Sequence, residues 1–334
     1  MGEKLSGVPI VVKASSFNLL ERIIYPLVSR EVGRRIEGLF DTQGNEGALD
    51  EFSRRYRMGA FGLVAEGPHL CHADPLAVMK DMRRLKRKSG ANGFLMPTSI
   101  TLINGGQVEA NKWYKPLVIY MNSNSFEPLP VVTANDYKRL LENSPNPEEI
   151  KRNLDSINIS ATRRMLSARQ NNEIVFALPE GTVKAGRRDE NGDLFGMQKV
   201  KDTVLAKILG KNVDGRGGNA EDFVVLPVGI WGSEKLLNPT TYKVNPEILD
   251  ELKRLPFLRK RKTFASVRMG EPFGKSEYRD YLASKGKLDI AASDGLLAKF
   301  MSEFPDTFFD FLMGENIARM IPKQYRGAYS KFTI

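Results

Sequence analysis

With 334 residues, 41% hydrophobic and 27% charged, the chain reads as an ordinary soluble globular protein with ample core for one large domain or two. A single cysteine excludes an intramolecular disulfide and fits a reducing compartment. The formal net charge of +10 calls for an anionic partner; charge alone leaves open nucleic acid, an acidic membrane surface, and phosphorylated or acidic substrates.

In chain order, Phe17, Leu20, Ile24, Val28, Val32, Ile36 and Leu39 recur at helical spacing, interrupted by Pro26 and faced by Arg22, Arg30, Arg34 and Arg35. Such a basic amphipathic stretch either packs on a core or lies on anionic lipid. The opening Met1-Gly2-Glu3-Lys4-Leu5-Ser6 fits a myristoylation pattern too short to carry weight. A polar span over 41–50 then reads as a link to the main domain. Phe61-Gly62-Leu63-Val64-Ala65 is a short buried strand whose period Gly67-Pro68 breaks. The stretch 66–75 holds both histidines and the only cysteine of the chain. Asp74-Pro75 suits an N-cap followed by the first helical position, so His69 falls on a loop between a strand and a helix. That is where α/β enzymes usually keep their chemistry.

His69 and Asp74 stand five apart, about 140° around an unbroken helix and out of mutual reach. A bend between them lets the carboxylate hold one imidazole nitrogen and leaves the other to take a proton from a substrate hydroxyl. The plainer readings are a helix cap at Asp74 and a satisfied loop histidine at His69. A metal cluster of His69, Cys71, His72 and Asp74 ranks low, because four ligands so close in sequence strain a tetrahedral shell.

The helix from Pro75 ends in Arg83-Arg84-Leu85-Lys86-Arg87-Lys88, cations that the helix dipole favours at that end. No signal peptide or transmembrane helix is legible; the longest uncharged stretch, 89–108, is broken throughout by Gly, Asn, Ser, Thr and Pro. Stretches 116–121 and 130–132 read as strands. Asn146-Pro147-Glu148-Glu149 starts a helix with a cap, a proline and two acids. Its buried stripe is Ile150, Leu154, Ile157, Ala161 and Met165, and it should end near 170–172. Strands follow at 173–178, 223–230 and 264–269. A basic cluster over 253–262 brackets Leu255, Pro256, Phe257 and Leu258, which suits a membrane interface better than a nucleic-acid groove. Strands alternating with helices predict an α/β fold with a central, largely buried sheet flanked by helices.

After the 173–178 strand comes Pro179-Glu180-Gly181-Thr182-Val183-Lys184-Ala185-Gly186-Arg187-Arg188. Glycines that permit tight backbone approach, a hydroxyl and three cations make a phosphate cradle or, equally, a charged turn.

Together these stretches resemble the glycerophospholipid acyltransferase family, which includes the lysophosphatidic acid and glycerol-3-phosphate acyltransferases. That family carries an Asn-His-x4-Asp motif after one strand, Phe-Pro-Glu-Gly-Thr-Arg after another, and a strand ending in Val-Pro-Val. His69 to Asp74, Leu178-Pro179-Glu180-Gly181-Thr182 and Leu226-Pro227-Val228 match in that order, and Gly270-Glu271-Pro272-Phe273 looks like the family's later Gly-Glu-Pro. Pro68 replaces the usual Asn. Val183 replaces the usual Arg, which leaves phosphate contact to Lys184, Arg187 or Arg188.

The resemblance implies an acyltransferase-like sandwich over 59–275, between an amphipathic helical segment at 1–58 and a C-terminal helical extension at 276–334. It implies O-acyl transfer with His69 as base and Asp74 as its partner, and acceptor binding by Glu180, Gly181, Thr182, Lys184, Arg187 and Arg188. The donor is an acyl thioester of coenzyme A or acyl carrier protein, with no cofactor and no metal. The acceptor is glycerol-3-phosphate or its 1-acyl form, and the enzyme is cytoplasmic, held peripherally on an anionic membrane. The alternative is a non-catalytic basic α/β protein that binds anionic lipid or nucleic acid.

Overall fold

The computed structural model describes residues 34–332 except 36, 43, 72–73, 100–120, 122–123, 143, 182, 201–202, 214–221, 237–242 and 254–261. The expected strand at 116–121 falls almost wholly outside them. So do the basic amphipathic stretch up to residue 33, His72, Thr182 and the core of the 253–262 basic cluster.

The strands are β1 (Phe40–Asp41), β2 (Phe61–Gly67), β3 (Gly93–Ser99), β4 (Phe126–Val131), β5 (Glu173–Ala177), β6 (Phe223–Trp231), β7 (Ala265–Met269) and β8 (Phe273–Gly274). They form one sheet of order β1-β7-β6-β2-β5-β3-β4, with β8 added beside β6. Contacts among β6, β2, β5, β3 and β4 are parallel, while β7 and β8 run antiparallel to β6. Every residue of β2 is buried, as expected of a central strand covered on both faces. Its period of two sends Phe61, Leu63 and Ala65 into one core and Val64 into the other.

Helices fill both faces, as the α/β reading requires. On the Val64 side pack α1 (Glu46–Arg57), α2 (Asp74–Ala77) and α3 (Met79–Ser89), through Leu49, Phe52, Tyr56, Leu76, Met82 and Leu85. On the other side lie α4 (Ala134–Glu142) and α5 (Pro147–Leu166), with Ala161 and Met165 of α5 in the core. Asn146 caps α5 by accepting from the Glu149 N–H, and Pro147 takes the first turn. The helix stops at Leu166 and continues as turns to 172, a few residues short of the expected end.

The span 41–50 is not a plain link. Phe40–Asp41 extends the sheet in parallel register with Ala265 and Ser266, and α1 starts at Glu46. Leu49, Phe52 and Tyr56 lie three and four apart and face inward, a stripe masked in sequence by the charges around it. Three of the six cations of α3 pair with acids upstream. Arg83 forks onto Glu37 with two bonds of 2.6 Å, Arg84 reaches Glu46, and Lys88 reaches Asp50.

The chain after β8 also belongs to this core. Tyr278, Leu297, Phe308, Leu312 and Ile317 are buried with residues of β2 and β6. Met313 and Ile317 approach Gly67, while Met320 and Ile321 approach Gly229, so the C-terminal segment covers the ends of the two central strands. No helix among the described residues is long and apolar enough to cross a membrane.

Candidate active site

Strands β5 and β6 flank β2 and run parallel to it. Three segments therefore leave the same edge of the sheet: one from Pro68 after β2, one from Leu178 after β5, and one from Gly232 after β6. In parallel sheets this is the edge where ligands bind.

In the first loop His69 Nδ1 lies 2.9 Å from Asp74 Oδ2, so the chain makes the bend that the five-residue spacing demands. The same oxygen accepts from the Leu70 N–H at 2.7 Å and the Cys71 N–H at 3.0 Å. Asp74 Oδ1 accepts from the Ser233 hydroxyl at 2.6 Å and the Cys71 thiol at 3.4 Å. Asp74 opens α2, but its carboxylate takes no N–H downstream as an N-cap does. It is turned back to gather the loop that carries His69.

An acceptor-only carboxylate requires the hydrogen on Nδ1, which makes Nε2 the basic nitrogen of the ring. His69 is 8% exposed and Asp74 fully buried. The ring thus stands at the border of core and solvent. The Cys71 thiol is buried and also points at the Ser233 carbonyl, 3.3 Å away, so it is a weak donor inside the loop and not an accessible nucleophile.

Both carboxyl oxygens of Glu180 are taken up by backbone N–H groups. Its Oε1 accepts from the His69 backbone N–H at 3.3 Å and its Oε2 from the Gln198 N–H at 3.0 Å. It braces the histidine loop against the chain at 196–198. That stretch is pinned in turn by the C-terminal segment, through Met197 N–H to the Tyr325 carbonyl and Ala328 N–H to the Met197 carbonyl.

Gly181 has a left-handed φ of 60° that turns the chain out of the Pro179-Glu180 corner. A 3₁₀ turn at Val183–Gly186 follows. A Cβ on Gly186 would fall 1.8 Å from the Leu70 carbonyl oxygen. Only glycine lets this segment lie on the histidine loop, and that contact brings Lys184, Arg187 and Arg188 to the site. All three are exposed. Lys184 sits over the Phe195 ring, and Arg188 donates to the Gly192 carbonyl across a short hairpin. Arg187 forms no ion pair among the described residues.

Three further carboxyl groups, Glu66, Glu180 and Glu234, feel the charge of Asp74. Burial, and then the charge of Asp74, pushes Glu66 well above the usual carboxylate range. Burial raises Glu180 to about 8 against two backbone N–H bonds, with Asp74 adding to the rise. Burial also raises Glu234, which accepts from the Tyr325 hydroxyl at 2.9 Å. Glu66, His69 and Asp74 hold ligand atoms within 4.8 Å of one another, a set not foreseen from spacing. Asp74, however, has donors on both oxygens, two of them backbone N–H groups on Oδ2, where a cation would meet the positive ends of those dipoles.

Sequence spacing missed Ser233, Gln198 and Tyr325. The one available signal was Gly232-Ser233 at the end of an apolar strand, and it is informative only once β6 is known to neighbour β2. Models of known protein families and curated proteins, compared with the chain, gave no match.

Proposed function

We propose that the chain is an O-acyltransferase that moves a fatty acyl group from a thioester to a hydroxyl of glycerol-3-phosphate or 1-acylglycerol-3-phosphate in phospholipid synthesis. One observation carries the reading: the oriented His69–Asp74 pair at the edge of the central strand, with a cation-bearing turn laid on its loop. Nε2 of His69 takes the acceptor hydroxyl's proton as that oxygen attacks the thioester carbonyl. The Nδ1–H bond to Asp74 fixes the tautomer and supports the imidazolium. Collapse of the tetrahedral intermediate breaks the C–S bond, and the imidazolium returns the proton to the departing thiolate of coenzyme A or acyl carrier protein. No acyl-enzyme is required, which agrees with the inward thiol of Cys71.

On this reading the acceptor phosphate meets Arg187 and Lys184, beside the loop of the base. Loss of one charge-assisted bond costs about 1.5–3 kcal/mol, roughly 10- to 100-fold in binding. Arg187→Ala should raise KM for a phosphorylated glycerol acceptor by that factor and leave KM for the thioester unchanged. Arg188→Ala should do less, because its guanidinium is engaged with Gly192. A panel of phosphorylated and unphosphorylated alcohols with one acyl thioester, read by mass spectrometry, tests the assignment. Equal use of an unphosphorylated alcohol rejects the phosphate site, and no transfer to any acceptor rejects the enzyme.

The same proposal places the enzyme peripherally on the cytoplasmic face of an anionic membrane, on the strength of the +10 charge. Vesicles containing anionic lipid should retain it at low salt and release it at high salt. Equal retention on neutral vesicles would remove this part.

A further inference from the structure

We infer that Ser233 is a positioning residue for the His69–Asp74 pair, acting through the carboxylate oxygen that does not face the imidazole. For its kinetic part the inference rests on the acyl-transfer reading. A carboxylate can pivot about its Cβ–Cγ bond and meet the ring with either oxygen or with neither. Here the Leu70 and Cys71 N–H groups locate Oδ2, and the Ser233 hydroxyl, at 2.6 Å, locates Oδ1. Two fixed oxygens define the plane, and the plane aims Nε2.

The hydroxyl arrives from 159 residues downstream, so no local rule of the loop supplies it. Gly232 turns the chain for it, with a left-handed φ of 87° and no room for a Cβ, which would lie 2.7 Å from the Phe264 carbonyl oxygen. Ser233 is fully buried, so bulk water cannot take over the bond. Its own carbonyl receives the Cys71 thiol at 3.3 Å. The residue thus grips the histidine loop at two points and touches no reacting atom.

Removing the hydroxyl has two opposed effects. Asp74 loses a donor and attracts the Nδ1 proton more strongly, which favours the imidazolium; it also loses its fixed plane, which spoils the approach of Nε2. The second dominates, because misplacement by about 1 Å can cost roughly 100-fold in rate.

The test compares the wild-type chain with Ser233→Ala and with Ser233→Cys, whose thiol is a weak donor of similar size. Turnover with an acyl thioester and a phosphorylated glycerol acceptor should fall about 10- to 100-fold in kcat for the Ala variant and less for the Cys variant. KM for both substrates should stay level. A folded Ser233→Ala with kcat within about twofold of wild type overturns the inference, and so does a loss confined to KM. If the Ala variant does not fold, the same comparison is read from the Cys variant. Proton NMR of the His69 Nδ1–H gives an arm that needs no turnover. Its position or exchange rate should change in the variants, and an identical signal overturns the inference even if wild type transfers no acyl group. Absence of turnover in wild type with a changed signal sinks the acyl-transfer reading alone.

Discussion

His69→Ala should lower kcat for acyl transfer by about 10²- to 10⁴-fold, the range that a positioned general base supplies, while the chain stays folded. The ring stands at the border of the core, and the main-chain bond from residue 69 to Glu180 survives the change. Asp74→Asn is the informative contrast. Both oxygens of Asp74 accept, from two amides, a hydroxyl and a thiol besides the ring. An Asn side chain has one acceptor and an NH₂ group, so some of those donors would face another donor inside a closed site. A buried donor left without an acceptor costs about 1–3 kcal/mol. Asp74→Asn should therefore lose both activity and stability, and His69→Ala activity alone. A labelled acyl thioester assay with circular dichroism melts separates the two. Wild-type turnover by folded His69→Ala would end the mechanism.

What could be read in advance follows from how each element is buried. Strands β2, β5 and β6 lie in the interior of the sheet, covered on both faces, so their sequences are nearly continuous apolar runs that need no periodicity to be recognised. The α5 helix announces itself by Asn146, Pro147 and two acids. Helix α1 was concealed because Leu49, Phe52 and Tyr56 are separated by Asp50, Glu51, Arg54 and Arg55. Phe40–Asp41 and Phe273–Gly274 are too short to carry a pattern.

The site divides in the same way. The His69–Asp74 pair spans five residues, so loop geometry alone could raise it. The brace from Glu180 crosses 111 residues and the bond from Ser233 crosses 159. Those depend on the strand order β6-β2-β5, which no local pattern encodes. Glu180 shows the limit most clearly. Its motif marks the turn beside the histidine loop, but only the fold shows that its carboxyl accepts from the main chain of His69 and Gln198.

The cluster of raised carboxyls gives the chain an unusual dependence of stability on pH. Glu180 titrates at about 8 in the folded chain against an ordinary 4.5. Between those values the folded state holds a proton that the unfolded chain has released, so stability falls as pH rises through the window. At about 1.4 kcal/mol per unit, Glu180 contributes a fall on the order of a few kcal/mol across the window. Glu66 and Glu234 are displaced in the same direction and add to the fall. On the acid side the sign reverses. Glu51 and Glu277 are held at about 2, Glu51 by hydrogen bonds from Arg54 and Arg55 and Glu277 mainly by Arg55 against the opposing effect of its burial. Their contribution is present above about 4.5 and is lost as pH drops toward 2. The melting temperature should therefore peak near about pH 5 and decline toward pH 8.5.

Glu66 isolates the cause. It is fully buried on the Val64 face, and among the described residues neither of its oxygens has a hydrogen-bond partner. Glu66→Met removes an orphaned carboxyl beside His69 and Asp74 without breaking a hydrogen bond. It should raise stability at pH 8.5 by about 1–3 kcal/mol and do less at pH 5, where a carboxyl raised in this way carries less charge. Thermal unfolding of both chains at the two pH values, at matched ionic strength, checks this. A wild-type melting temperature that is level or rising from pH 5 to 8.5, or a Glu66→Met gain that is the same at both, would show that these carboxyls carry their charge in the folded chain.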